Sequence, residues 1–144
     1  MDVSVKGEYA LRAVFELCSR GSSEPTKIAD IAARQRIPQK FLELILSQLK
    51  QGGFLNSRRG ASGGYTLAKP PEAITVGAVL RHIEGRLSTT RRNEDNPRPS
   101  DSPFNDLWKQ ADAALSNVID RTTFADLLER WKEKRSRRAV SFQI

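Results

Sequence analysis

The chain has 144 residues, enough for one ordinary domain or a small domain with an accessory helix. Lys and Arg outnumber Asp and Glu by 24 to 17, a balance that favours a polyanionic partner and says nothing about fold. One cysteine, Cys18, and one histidine, His82, exclude an intramolecular disulfide and a Cys/His zinc site built from a single chain. Asp2, Lys6 and Glu8 break any apolar run near the start, and no segment approaches the ~18 apolar residues of a membrane span. The expectation is a soluble cytoplasmic protein without a membrane partner.

In chain order, residues 5–19 predict a helix with a wide apolar stripe: Ala10, Leu11, Ala13, Val14, Phe15, Leu17 and Cys18. The stretch "RGSSEP" ends it. Thr26 is the expected N-cap of a short helix that turns Ile28, Ile31 and Ala32 inward. "RQRI" at 34–37 reads as a turn, and Pro38 suits the first position of the next helix, where its missing N–H costs nothing. Phe41, Leu42, Ile45, Leu46 and Leu49 then form an inner face, and "GG" at 52–53 stops the helix. Gln39, Lys40, Glu43, Leu44 and Ser47 are left facing out.

Residues 54–58 and 65–68 can pair as short strands joined by a glycine-rich connection. "KPPEA" is a turn. Thr75 opens a helix with Val76, Val79, Leu80 and Ile83 inward and Gly85 at its end. From Arg86 to Pro103 the composition becomes polar, with three prolines, and predicts a flexible loop. Phe104, Leu107, Trp108, Ala111, Leu115, Val118 and Ile119 mark a long helix at about 104–120. Thr122 or Thr123 caps a last helix carrying Phe124, Leu127, Leu128 and Trp131. "SRRAVSFQI" shows no pattern.

The stretch "RRGASGGYTLAK" at 58–69 admits two readings. A phosphate-cradling loop needs a strand, then glycines, then a helix N-terminus. Here strand-like "YTLA" and two prolines follow, with neither a Gly-Lys-Ser/Thr ending nor a GxGxxG motif. A β-hairpin tip fits better: glycines permit positive φ, and Arg58 and Arg59 at the strand end can reach phosphate oxygens or guanine edges. Charge distribution agrees. From Arg34 to Lys69 there are seven basic residues against one acid, Glu43. Helix, turn, helix and basic hairpin make a winged helix–turn–helix, whose 38–51 helix would enter a DNA major groove. Glu43 is costly among phosphates unless it meets a donor such as cytosine N4. Leu44 either touches a thymine methyl or packs on a neighbouring element.

"VKGEYALRA", "IPQKFLELILSQLKQGGFLNSRRGASGGYTLA" and "ITVGAVLRHIEG" together resemble the Rrf2 family of bacterial transcription regulators, from about Val3 to Gly85, and "TTFADLLERW" resembles that family's C-terminal helix. The resemblance implies a mainly α winged helix–turn–helix with a long dimerisation helix, acting as a homodimer on palindromic double-stranded DNA. It divides the chain into a DNA-binding domain at 1–85, the loop at 86–103, and a dimerisation helix with C-terminal helix at 104–144. Gln39, Lys40 and Glu43 become base-reading candidates, with Leu44 and Ser47 on the same face. Arg58, Arg59 and Ser62 belong to the wing. The stripe from Phe104 to Ile119 (Phe104, Leu107, Trp108, Ala111, Leu115, Val118, Ile119) pairs with its two-fold mate.

Many members of that family hold an iron–sulfur cluster through three cysteines in the loop after the fourth helix. The 86–103 loop has none. Glu8 and Cys18 alone do not make a cluster site, so no cofactor is expected. The signal, an effector or a partner protein, is not specified.

The remaining features have plainer readings. Cys18 is expected to be a buried thiol rather than a redox sensor. His82 reads as a surface or dimer-contact residue. Trp108 and Trp131 read as core or dimer anchors. The C-terminal basic run reads as a solvated helix end that could extend a DNA contact. No acid–base or nucleophilic constellation emerges, so an enzyme is not expected. The sequence reading is a DNA-binding transcriptional regulator, a repressor. The rivals are a winged-helix protein-interaction adapter and a nucleotide-binding enzyme.

Overall fold

The computed structural model of the chain describes residues 2–89 and 97–143. Residues 90–96 of the expected flexible loop lie outside the described residues. The elements, in order, are α1 (Val5–Arg20), α2 (Ile28–Gln35), α3 (Gln39–Gln51), β1 (Leu55–Arg58), β2 (Gly64–Leu67), a 3-10 turn (Pro71–Ala73), α4 (Val76–Glu84), α5 (Pro103–Arg121) and α6 (Phe124–Gln143).

One core holds the first four helices and the start of α6. Ala10, Ala13, Val14 and Leu17 of α1 meet Ile31 of α2, Leu42, Ile45, Leu46 and Leu49 of α3, Val79 of α4 and Phe124 of α6, all buried. Truncating one of the α3 leucines would cost about 2–5 kcal/mol, because a closely packed core relaxes only partly into the cavity. The helix ends are set by local chemistry. Ser4 Oγ accepts from the Gly7 N–H at 3.1 Å and caps α1. Thr75 Oγ1 accepts from Ala78 N–H at 3.1 Å and caps α4, as its sequence predicts. At the end of α3, Phe54 N–H bonds to Leu49 O and Gly53 N–H to Lys50 O, each at 3.0 Å, with Gly53 at φ +80°. That double bond pattern is a Schellman motif, and it fixes where the hairpin leaves the helix.

Four expectations are corrected. Thr26 does not cap α2; the N-cap is Lys27, without a side-chain cap bond. Thr26 is buried and its backbone pairs with Tyr65, which suits a β-branched residue in extended conformation. Pro38 stands one position earlier than expected, as the N-cap of α3 with ψ 126°, and its carbonyl accepts from Leu42 N–H at 3.0 Å. "PEA" in the expected turn forms a 3-10 turn. Finally, α6 continues through "SRRAVSFQ" to Gln143. Lys, Arg, Ala and Glu favour a helix without an apolar period, since this part of α6 is solvent-exposed from Lys132 to Ser141 and has no core to face.

The join between α5 and α6 is tied to the start of α4. Val76 N–H bonds to Thr122 O at 3.0 Å and Phe124 N–H to Ile74 O at 2.9 Å, an antiparallel bridge centred on Thr75 and Thr123. Thr123 and Asp126 complete a capping box: Thr123 N–H donates to Asp126 Oδ2 at 3.0 Å and Asp126 N–H to Thr123 Oγ1 at 3.1 Å. These bonds hold the Asp126 carboxyl below its ordinary range. Trp131 of α6 meets Phe15 of α1 edge to face, with centroids 5.7 Å apart.

Candidate nucleic-acid interface

The helix–turn–helix is built by α2 and α3, and α1 braces both. Glu16 is 2% exposed, yet it is a carboxylate. Its oxygens accept from Arg20 Nε and from the Gln35 side-chain amide, each at 2.9 Å, with Arg34 Nε at 3.8 Å. A buried charge is tolerated only with such partners, so α2 is pinned to α1 by a polar anchor. Arg12 adds a bond from its guanidinium to Gln35 O and lies 5.3 Å over the Tyr9 ring. Tyr9 in turn packs edge to face on Phe41, 5.6 Å away, in the first turn of α3. Sequence periodicity did not single out Glu16; a charged residue inside an apolar stripe was the available signal. Between α2 and α3, Arg36 has φ +54°, the left-handed region, and caps α2 through its N–H to Ala32 O.

α3 is split into two faces. Leu42, Ile45, Leu46 and Leu49 are buried with Phe41 beside them, while Gln39, Lys40, Glu43, Leu44 and Ser47 are exposed. At ~100° per residue the five exposed positions fall within about 140° of arc, opposite the core. Gln39 and Lys40 occupy the first turn, where the helix dipole is positive. Leu44 is 51% exposed, so within the chain it does not pack away on a neighbouring element. Its thymine-methyl alternative stays open.

The hairpin pairs Leu55 with Leu67, Asn56 with Thr66, Ser57 with Tyr65 and Arg58 with Gly64. Arg58 ends β1, Arg59 follows, and both are exposed together with Ser62. A Cβ on Gly63 would run into the Arg58 carbonyl. One on Gly64, at φ +149°, would run into the backbone of Thr26 and Lys27. The glycines therefore serve close backbone approach inside a hairpin. They are followed by β2, not by a helix N-terminus, which removes the geometry a nucleotide-phosphate loop requires. Thr26 N–H bonds to Tyr65 O at 2.9 Å and Tyr65 N–H to Thr26 O at 2.8 Å, so the segment before α2 is a one-residue third strand. Lys50 Nζ donates to Ser57 Oγ at 2.6 Å, fastening β1 to the last turn of α3. The wing is thus fastened to the last turn of α3, and the exposed residues of the two elements include Lys40, Arg58 and Arg59 against Glu43.

The model of the Rrf2 family, described as an iron-dependent transcriptional regulator, matches residues 3–130. The chain belongs to the Rrf2 family. It is 35% identical over 127 residues to the HTH-type transcriptional regulator CymR of Bacillus subtilis, covering 88% of this chain and 89% of that one. It is 33% identical over 131 residues to the protein rrf2 of Nitratidesulfovibrio vulgaris, covering 89% and 87%. Among solved structures, CymR, described as the global cysteine regulator of B. subtilis, superposes with a TM-score of 0.78 at 34% identity, covering 90% of this chain and 98% of that one. The IscR structure from T. potens superposes with a TM-score of 0.79 at 32% identity, covering 93% and 90%. This Rrf2-family chain is a winged-helix, DNA-binding transcriptional regulator. The relatives are named as regulators rather than as enzymes or adapters, so neither rival is favoured.

Iron enters through the family description, and the donor set of this chain does not fit a cluster. Its one thiol, Cys18, is buried in the core, and burial with the nearby Glu72 carboxylate pushes its pKa up to about 12. Glu8 is exposed ten residues earlier on the same helix, about 15 Å away along the axis at ~1.5 Å per residue. No group of three His, Cys, Asp or Glu side chains that could hold a metal exists among the described residues.

The other single residues also find places. His82 is exposed on α4, and its Nε2 lies 2.6 Å from Gln48 O, which makes it a second brace on the end of α3. Trp108 is half-buried on α5. Phe104, Leu107 and Val118 are 57%, 48% and 62% exposed, with Ala111 and Leu115 half-buried. Ile119 differs from the rest of the expected stripe, because it is buried within the chain itself. No helix among the described residues is long and apolar enough to cross a membrane.

Proposed function

We propose that the protein is a homodimeric repressor that binds palindromic operators. Residues 1–85 serve as the DNA-binding domain, and within 104–144 the long helix at about 104–120 carries dimerisation and is followed by the C-terminal helix. Each protomer sets α3 in a major groove, with Gln39 and Lys40 toward base edges in the first turn and Glu43, Leu44 and Ser47 farther along the same face. Gln39 can pair bidentately with adenine and Lys40 can reach guanine acceptors. Arg58, Arg59 and Ser62 lie along the phosphate backbone beside the groove, where they position the protein without reading sequence. Phe104, Leu107, Trp108, Ala111, Leu115 and Val118 pair with their two-fold mates. Ile119 is left out because its side chain already lies in the core of its own chain.

The observation that carries this reading is the two-faced α3: Leu42, Ile45, Leu46 and Leu49 are buried, and the residues opposite them are exposed on a helix to which the wing is fastened. The exposed apolar side chains of α5 support the dimer, since large apolar groups grouped on one helix mark an interaction surface. The test is selection of bound sites from a random duplex library at near-physiological salt. A palindrome with half-sites about one helical turn apart is the expected result. Enrichment without a consensus from a purified dimer would overturn it.

A further inference from the structure

The C-terminal half of α6 has no role in the function described so far. The family match ends at residue 130, but the helix continues to Gln143. From Lys132 to Ser141 every residue is exposed. This stretch contains Lys132, Lys134, Arg135, Arg137 and Arg138 against a single acid, Glu133. Arg135 folds back over the Trp131 ring, 4.7 Å from its centroid. The ion pairs among the described residues involve none of Lys132, Lys134, Arg137 and Arg138. Arg130, Lys134, Arg137 and Arg138 share one stripe of roughly 100° of arc. Like charges at i, i+4 destabilise an isolated helix, so a stripe of this kind weakens the element that carries it unless an anion answers it.

We propose that this stripe is a second DNA contact, which grips backbone phosphates outside the segment covered by α3 and the wing. The inference rests on the reading of the chain as a DNA-binding regulator. Charge complementarity selects the occupant. The stripe is free of apolar anchors, which a protein groove would want, and duplex DNA presents one negative charge per ~1.7 Å. α3 and the wing hold that polyanion on the same molecule, so a stripe that reaches the flanking duplex engages it without a second bimolecular step. The twelve residues past Trp131 extend ~18 Å, about twice the screening length at physiological salt. The contact reads no sequence, adds affinity, and makes binding depend on flanking duplex length.

The test compares the full-length protein with the triple variant Lys134→Gln, Arg137→Gln, Arg138→Gln. Glutamine keeps helix propensity and removes charge only. Binding is measured by fluorescence anisotropy over a range of salt, on a short duplex holding only the selected site and on one with about ten further base pairs of random sequence at each end. The wild type should prefer the long duplex. The variant should lose that preference, and its log-affinity against log-salt slope should fall by about two to three, with affinity on the long duplex down roughly tenfold or more at 0.1 M salt. On the short duplex the two proteins should agree. Equal slopes on the long duplex would overturn the proposal, and so would a loss equal on both duplexes that accompanies dissociation of the dimer. Charge-dependent binding of the stripe to anionic phospholipid vesicles, with the DNA slope unchanged, would assign it to a lipid surface and also overturn it. If the selection yields no preferred site, the same slopes on random duplexes still decide the question, so failure of the operator reading and failure of this proposal are separable.

Discussion

Tyr65 in β2 and Thr26 before α2 exchange backbone hydrogen bonds in both directions, at 2.9 and 2.8 Å. This pair makes the wing a rigid extension of the helix–turn–helix rather than a loose arm. It exists because Gly64 lets the two backbones close together: its φ is +149° and a Cβ would strike Thr26. Gly64→Ala should therefore cost about 1–3 kcal/mol, the scale of a non-glycine residue in a disallowed region. Urea denaturation measures it. An alanine variant with the wild-type midpoint would mean that the two segments separate at little cost.

Phosphate and base contacts should separate in mutants. Arg59→Ala should weaken binding to every duplex and reduce the salt slope by about one, the signature of one lost phosphate contact. Gln39→Ala should instead relax the preference at one operator position by about 1–3 kcal/mol and leave the slope alone. Titration of both variants against the selected site and a scrambled duplex distinguishes them. An Arg59→Ala protein with unchanged affinity and slope would sink the wing assignment.

The dimer reading rests on the exposed part of the α5 stripe. Leu107 is 48% exposed, so Leu107→Glu should leave the protomer folded, with its circular dichroism unchanged. Across a two-fold interface the same change buries two carboxylates and should shift the protein to monomer in light scattering at micromolar concentration. A variant that stays dimeric would move the interface elsewhere.

Cys18 should behave as a core residue. With its pKa pushed up to about 12 by burial, the thiolate is scarce at neutral pH and the sulfur is covered. Iodoacetamide should fail to label the native protein at pH 8 and label it readily in urea. The linkage has a definite sign: the folded-state pKa is raised, so the stabilisation is complete below pH 9 and is lost as pH rises toward 12. Rapid labelling of the native protein would contradict the buried position.

The sequence by itself determined the helices whose apolar residues recur at helical spacing. α1, α3 and α4 were legible because each buries a stripe, α5 because its apolar residues recur at the same spacing although all but Ile119 stay exposed or half-buried, and the order of helix, turn, helix and glycine hairpin followed from Pro38, the paired glycines and "YTLA". It also placed Gln39, Lys40, Glu43, Leu44 and Ser47 on the outer face, since whatever does not face the core faces water. Only the tertiary structure decided where polar residues went. Glu16 is anchored by Gln35, Arg20 and Arg34 from two helices, and no local pattern announces a charge whose partners lie up to nineteen residues away. Thr26 left its expected cap for a strand because Tyr65 offered two backbone bonds in place of one side-chain bond. Ile119 sits on the expected pairing stripe by its spacing, yet it is covered within its own chain. The extension of α6 escaped the apolar period because a helix running into solvent has no face to bury. Periodicity reports burial against something nearby; polar anchoring, strand addition and solvent-facing charge depend on what the folded chain brings together.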